Sequence, residues 1–196
     1  MFIQVIQGKV SDADHLHAEL ERWRREIKPG ARGYLGSTGG VTSDGRGITL
    51  VRFDSEEAAR ANSERPEQGA WWNDAVKAFD GEVTFHDCRD VDTAFGGGSN
   101  EAGFVQVIQG RAKDQEQMRL RAPQLQQQLH ERRPDILGIL VGWHGDGGFT
   151  EAVYFTSAEG ARRGEVATDN DEFRQEFMSL VDGEPTFFDF AVPDLD

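Results

Sequence analysis

The sequence predicts an α+β chain in which one small domain, ordered β-α-β-β-α-β, occurs twice in tandem. Three observations predict it. Residues 2–8, FIQVIQG, return as FVQVIQG at 104–110. The same offset of 102 positions carries later landmarks without a gap: Leu35-Gly36 meets Leu137-Gly138, Asp44-Gly45 meets Asp146-Gly147, and DGEVTFHD at 80–87 meets DGEPTFFD at 182–189. Within each copy the apolar period switches between two and about 3.6 residues in the stated order. A repeat near 100 residues is a whole domain rather than a solenoid unit.

In the first copy, 2–8 alternates and is rich in Ile, Val and Phe, which reads as a strand. Ser11 with Asp14 resembles a capping box, and Leu16, Leu20, Trp23 and Ile27 recur at the spacing of one helical face. Pro29-Gly30 stops that helix. Residues 33–42 and 47–54 read as strands joined by the turn Ser43-Asp44-Gly45-Arg46. Ser55 caps a helix over 56–62, a second helical run covers 70–79 with Trp72, Val76 and Phe79 on one face, and 82–89 is the last strand. The second copy repeats this with strands at 104–110, 135–144, 149–156 and 184–191 and helices near 114–131 and 171–181. Pro123 inside the first of these predicts a kink or a late start. The domains are therefore 1–92 and 103–196, each a ferredoxin-like unit, with the glycine-rich 93–102 as a linker.

Composition narrows the classes. The 196 residues carry 35 acidic and 21 basic side chains, a net charge of −14, which repels phosphate backbones and anionic membranes. Nucleic acid and membrane are excluded as partners, and no apolar run is long enough to span a bilayer. The start, MFIQVIQGKV, lacks the pattern of an export signal, and the single Cys88 suits a reducing compartment, so the expected location is cytoplasmic. No metal is expected: HExxH, CxxC and calcium-loop motifs are missing. Gly96-Gly97-Gly98 follows no strand-to-helix phosphate pattern.

A four-stranded antiparallel sheet with helices on one side leaves its other face bare. Two copies in one chain solve this by packing their sheets face to face. That arrangement, the QVIQG strand openings and the helix start FDSEEAARA resemble the dimeric α/β-barrel superfamily, nearest to antibiotic biosynthesis monooxygenase-like domains in tandem duplication. The resemblance implies an intrachain dimeric α/β barrel, existing as a monomer with an internal pseudo-dimer or as a homodimer. It also implies a hydrophobic or aromatic small molecule as ligand, and chemistry without a cofactor. Family enzymes often place a His at the end of the helix after the third strand, and here that position is Asn62. Some use a Trp and an Asn in the cleft, roles open to Trp71, Trp72, Asn73 and Asn62.

The duplication gives an internal comparison. No histidine or tryptophan has its like 102 positions away: His86 faces Phe188, Trp71 faces Phe173, Trp72 faces Arg174, Trp143 faces Val41 and His144 faces Thr42. The two clefts are chemically different, and the working one is expected in the first half. On the last strand His86 alternates with Phe85 and would point into the barrel as a base. Trp72 belongs to the apolar stripe, which leaves Trp71 for a pocket wall or a subunit contact. Trp143 and His144 end a strand before a glycine turn and would reach the rim. His130 lies near a helix C-terminus, where positive charge is favoured. Two functions follow: a cofactor-independent monooxygenase of a polycyclic phenol with His86 and Asn62 as catalytic residues, or a non-catalytic binding or assembly module.

Overall fold

The computed structural model describes residues 1–168 and 172–196, without the side chains of 130, 167, 168, 172 and 173. The expectations placed on His130 and Phe173 therefore fall outside the described side chains. The strands recur at the predicted offset without a single slip. β1 (Phe2–Val10), β2 (Tyr34–Val41), β3 (Arg46–Phe53) and β4 (Phe79–Cys88) of the first copy answer to β6 (Phe104–Ala112), β7 (Ile136–Trp143), β8 (Gly148–Phe155) and β9 (Val181–Phe190) of the second. The chain is α+β, with two five-stranded antiparallel sheets ordered β10-β2-β3-β1-β4 and β5-β7-β8-β6-β9.

The fifth strands are what sequence reading did not supply. β5 (Asp90–Ala94) follows β4 but pairs with β7, setting Asp92 opposite Val141. β10 (Asp194–Leu195) follows β9 but pairs with β2, setting Asp194 opposite Gly39. These registers are the same one, displaced by 102 positions. The compact units are accordingly Met1–Arg89 with Asp194–Asp196, and Asp90–Pro193. Residues 90–94, which the sequence divides between first domain and linker, are strand.

Helices follow β1 and β3 in the first unit. α1 (Ala13–Arg22) is capped by Asp12, whose carboxylate accepts from His15 N at 2.9 Å, so the cap is Asp12 and not Ser11. Its last turn widens over Trp23–Ile27, where Lys28 N reaches back to Trp23 O, before Pro29-Gly30 end it. α2 (Glu56–Ser63) is capped by Ser55 as predicted. α3 (Pro66–Ala75) starts earlier than predicted, because Pro66 presets the first helical position, and it stops before Phe79, which already belongs to β4. The second unit carries α4 (Gln115–Arg132), α5 (Ala158–Thr168) and α6 (Glu172–Leu180). α4 runs through Pro123 without a break, and α5 is an addition to the sequence reading.

Strand alternation decides which side chains meet the helices. In the first sheet Phe2, Gln4 and Ile6 of β1, Val51 and Phe53 of β3 and Phe85 of β4 share the helix-covered face. Phe2 and Phe53 close one end of that core against Ala59 of α2. Trp23, Ile27, Trp71 and Ala75 form a second cluster between α1 and α3. Ile3, Val5, Leu50, His86 and Cys88 lie on the opposite face. In the second unit the matching core splits into a cluster around Phe104, Ile139 and Phe155 and another around Trp143, Phe149 and Val181.

Candidate functional site

Between the first sheet and its helices lies a cavity of about 340 Å³. That volume is at the lower end of the range for small-molecule sites, roughly 300–1,000 Å³. Gln4, Ile6, Thr49, Val51 and Phe85 form its floor. Leu16, Leu20 and Trp23 of the first helical segment and Trp71, Trp72 and Ala75 of α3 form its roof, and Tyr34 and Asn62 close the side near the loop ends.

The roof is held by aromatic contacts and by indole N–H groups. Trp23 meets Tyr34 edge-on at 4.9 Å between ring centroids, Trp71 lies 6.3 Å from Trp23, and Trp72 lies 6.0 Å from Trp71 and 5.6 Å from Phe85. Each such pair adds about 0.5–1.5 kcal/mol beyond the area it buries, so the wall is ordered before any ligand arrives. Trp71 Nε1 donates to Glu19 O at 2.8 Å, and Trp23 Nε1 donates to Gln68 Oε1 at 2.8 Å. Both bonds tie α3 to the first helical segment, as does the Arg22 pair with Asp74 at 3.2 Å. Replacing Trp71 by Ala would cost about 3–5 kcal/mol by the usual large-to-small cavity penalty.

Both tryptophans line the cavity, Trp71 as expected, but their depth of burial is the reverse of the sequence reading. Trp71 is the buried one, facing the interior with Gln68 and Ala75, and Trp72 is half-buried at the mouth beside Phe85. Asn62 is buried at 7 % exposure and lines the cavity with both tryptophans. Asn73 lies on the exposed side of α3 and does not line it.

His86 lies on the sheet face opposite Phe85, as strand alternation predicts, and that face is turned away from this cavity. It pairs with Val5 in the ladder and shares its face with Cys88, while its neighbour Phe85 is the one that reaches the cavity. Burial pushes the Cys88 thiol up to about 12, which makes it unreactive. Trp143 and His144 belong to the second unit. Trp143 is buried against Phe149 and donates from Nε1 to Asp92 Oδ2 at 2.8 Å, and His144 Nε2 sits 2.8 Å from the Thr150 hydroxyl. So Asn62, Trp71 and Trp72 come together in the first unit, and His86 and Asn73 of that unit do not line their cavity.

Trp23, Tyr34, Gln4 and Gln68 are site residues that sequence reasoning missed. A signal existed for three of them, since Trp23, Tyr34 and Gln68 are replaced by Leu125, Ile136 and Asn170 at the offset. Burial holds the Tyr34 hydroxyl well above its ordinary range, and that hydroxyl donates to Asp196 Oδ2 at 3.0 Å. Lys28 pairs with Asp196 and Arg24 with Asp194, so the last residues of the chain brace this wall.

Over nearly its whole length the chain is similar in fold to several solved structures. A candidate monooxygenase from Lactobacillus acidophilus shares 12% identity at a TM-score of 0.72, covering 99% of this chain and 94% of that one. The fold is that of the antibiotic biosynthesis monooxygenase-like, ferredoxin-fold proteins. A candidate monooxygenase from Fusobacterium nucleatum subsp. nucleatum matches at 9% identity and a TM-score of 0.71, covering 96% and 90% of the two chains. An anthrone oxidase-like protein matches at 15% identity and a TM-score of 0.63, again covering 96% and 90%. At these identities the likeness is one of fold, and fold alone does not select a reaction. No family model matches the chain. No curated protein matches it either.

Proposed function

We propose that the first unit binds a planar, electron-rich aromatic molecule in its helix–sheet cavity and promotes its oxidation by dioxygen without a cofactor. The observation that carries this reading is the preformed cavity walled by Trp23, Trp71, Trp72, Tyr34 and Phe85, a shape and surface suited to fused rings. The similarity of fold to an anthrone oxidase-like protein supports the class of substrate. In the reaction a doubly benzylic CH2 beside a phenol or ketone loses a proton, and the resulting carbanion passes one electron to dioxygen. The radical pair combines to a peroxide, which loses water and leaves a carbonyl. One dioxygen is consumed per substrate, one of its atoms enters the product and the other leaves as water. The protein's part is to hold the rings, exclude water and stabilise the enolate oxygen.

In this reading His86 is not the general base, since it does not line the cavity. Among the described residues no histidine and no carboxylate lines the cavity, so the proton must leave through substrate acidity and solvent at the mouth. The same observation favours a second reading, a binder that holds an aromatic ligand without turning it over.

Anthrone in aerated buffer distinguishes the two. Oxygen uptake and anthraquinone absorbance should rise together, one to one, well above the rate without protein. The Ala75→Phe variant should abolish the acceleration, because it copies Phe177 of the second unit and fills the cavity roof. Binding without acceleration would select the binder, and acceleration that survives Ala75→Phe would place the chemistry elsewhere.

A further inference from the structure

Three carboxamides line the first-unit cavity, and in each the surrounding protein dictates which end is left for a ligand. Asn62 Oδ1 accepts from Arg65 Nη1 at 3.0 Å, and Gln68 Oε1 accepts from Trp23 Nε1 at 2.8 Å. A guanidinium and an indole N–H can only donate. Turning either amide over would set donor against donor, so chemistry fixes the assignment of oxygen and nitrogen. Among the described residues nothing accepts from Asn62 Nδ2 or Gln68 Nε2. Gln4 has the opposite polarity: its Nε2 donates to Asp87 Oδ1 at 2.9 Å, which leaves its oxygen unused.

The two spare donors hang from one short stretch. Asn62 is in the last turn of α2 and Gln68 in the first turn of α3, with Arg65 between them. Arg65 also donates to Ile27 O at 3.2 Å, which ties the guanidinium to the end of the first helical segment. Two primary amide groups with unspent hydrogen-bonding capacity thus line a cavity whose other walls are mainly aromatic and aliphatic, with Ser37, Thr49 and Ser63 among them.

We infer that the cavity is built for an aromatic ligand carrying an acceptor oxygen, ketone or phenolate, which takes the amide N–H groups of Asn62 and Gln68, with Arg65 and Trp23 as the positioning residues that aim them. This rests on the reading of the cavity as an aromatic site and adds the part of the molecule that is recognised. The rings bind without direction, and the oxygen sets the orientation. A cation is disfavoured, since the partial positive ends of two amides meet it.

Calorimetric titration with fluorenone and fluorene tests this, because the two differ only in one acceptor oxygen. Wild-type protein should bind both and favour fluorenone by about tenfold, the ratio expected of one to two hydrogen bonds of ordinary net strength. Asn62→Leu and Gln68→Leu should each lower the affinity for fluorenone several-fold and leave fluorene unchanged. Arg65→Met should do the same, and Arg65→Lys, which keeps a donor for Asn62 Oδ1, should restore part of the preference. A residue with a merely structural role would weaken both probes alike. Equal affinities in the wild type, or parallel losses in the variants, would overturn the inference and leave the aromatic cavity standing. Failure to bind either probe would overturn both.

Discussion

Arg133 takes in the second unit the space that the Asn62 side chain would need there. Gly164 is the counterpart of Asn62, and a Cβ built on it runs into the Arg133 guanidinium, which packs over Phe155 at 5.4 Å and pairs with Asp135 at 2.8 and 3.0 Å. The first unit has Ala31 where Arg133 stands. The exchange explains why the two interiors differ: one keeps an amide over a cavity, the other a buried ion pair over a ring.

Gly164→Asn should therefore destabilise the protein although it copies the other half. The guanidinium must leave its carboxylate or the new side chain must bend out, at about 2 kcal/mol, partly offset by the better helix propensity of Asn over Gly. In thermal unfolding the midpoint should fall by roughly 5 °C. An unchanged midpoint would mean that Arg133 moves freely.

The second unit also predicts a pH dependence. Glu151 stands where Thr49 stands in the first unit, on the helix-covered face between Ile108 and Val141, and burial raises its carboxyl to about 7 from an ordinary 4.5. The folded state holds its proton over a pH range in which the unfolded chain has lost it. Stability is therefore full below about pH 4.5 and falls as pH rises through 7, by up to about 3 kcal/mol. Denaturant titrations at pH 5 and pH 8 should show this fall in the wild type. In Glu151→Thr, which copies the first unit, the contribution should be gone. A slope that survives the substitution would assign it to other groups.

His86→Phe copies Phe188 and should leave the fold intact. Because His86 lies on the sheet face away from the cavity, fluorenone affinity should stay within about twofold of wild type. A large loss of binding would mean that the working cleft is on the other face.

The duplication made the fold legible. Strand positions could be checked twice, and an offset found in FIQVIQG holds through every one of the eight principal strands. Parity along β4 was legible too: Phe85 and His86 lie on opposite faces, as alternation requires. What sequence could not say was which face holds the cavity, since that depends on how closely α1 and α3 approach the sheet. The exchange of roles between Trp71 and Trp72 has a local cause. Starting the helix at 70 made Trp72, Val76 and Phe79 a stripe. Starting it at Pro66 and ending it at Ala75 aligns Gln68, Trp71 and Ala75 instead. β5 and β10 escaped because a five-residue and a two-residue strand have no periodicity to read, and their partners lie far away in sequence.

The handover of fifth strands changes what the glycine run at 96–98 means for handling the protein. The chain leaves the first unit at Arg89, builds the second, and returns for three residues. A cut in the glycine run would part β5 from β7 and β10 from β2 on separate pieces of polypeptide. Each fragment would expose the bare edge of β2 or β7, the kind of template on which other chains add strands and aggregate. Gene fragments ending there would encode sticky, incomplete sheets, and the shelf life of a preparation would depend on keeping that short run free of proteases.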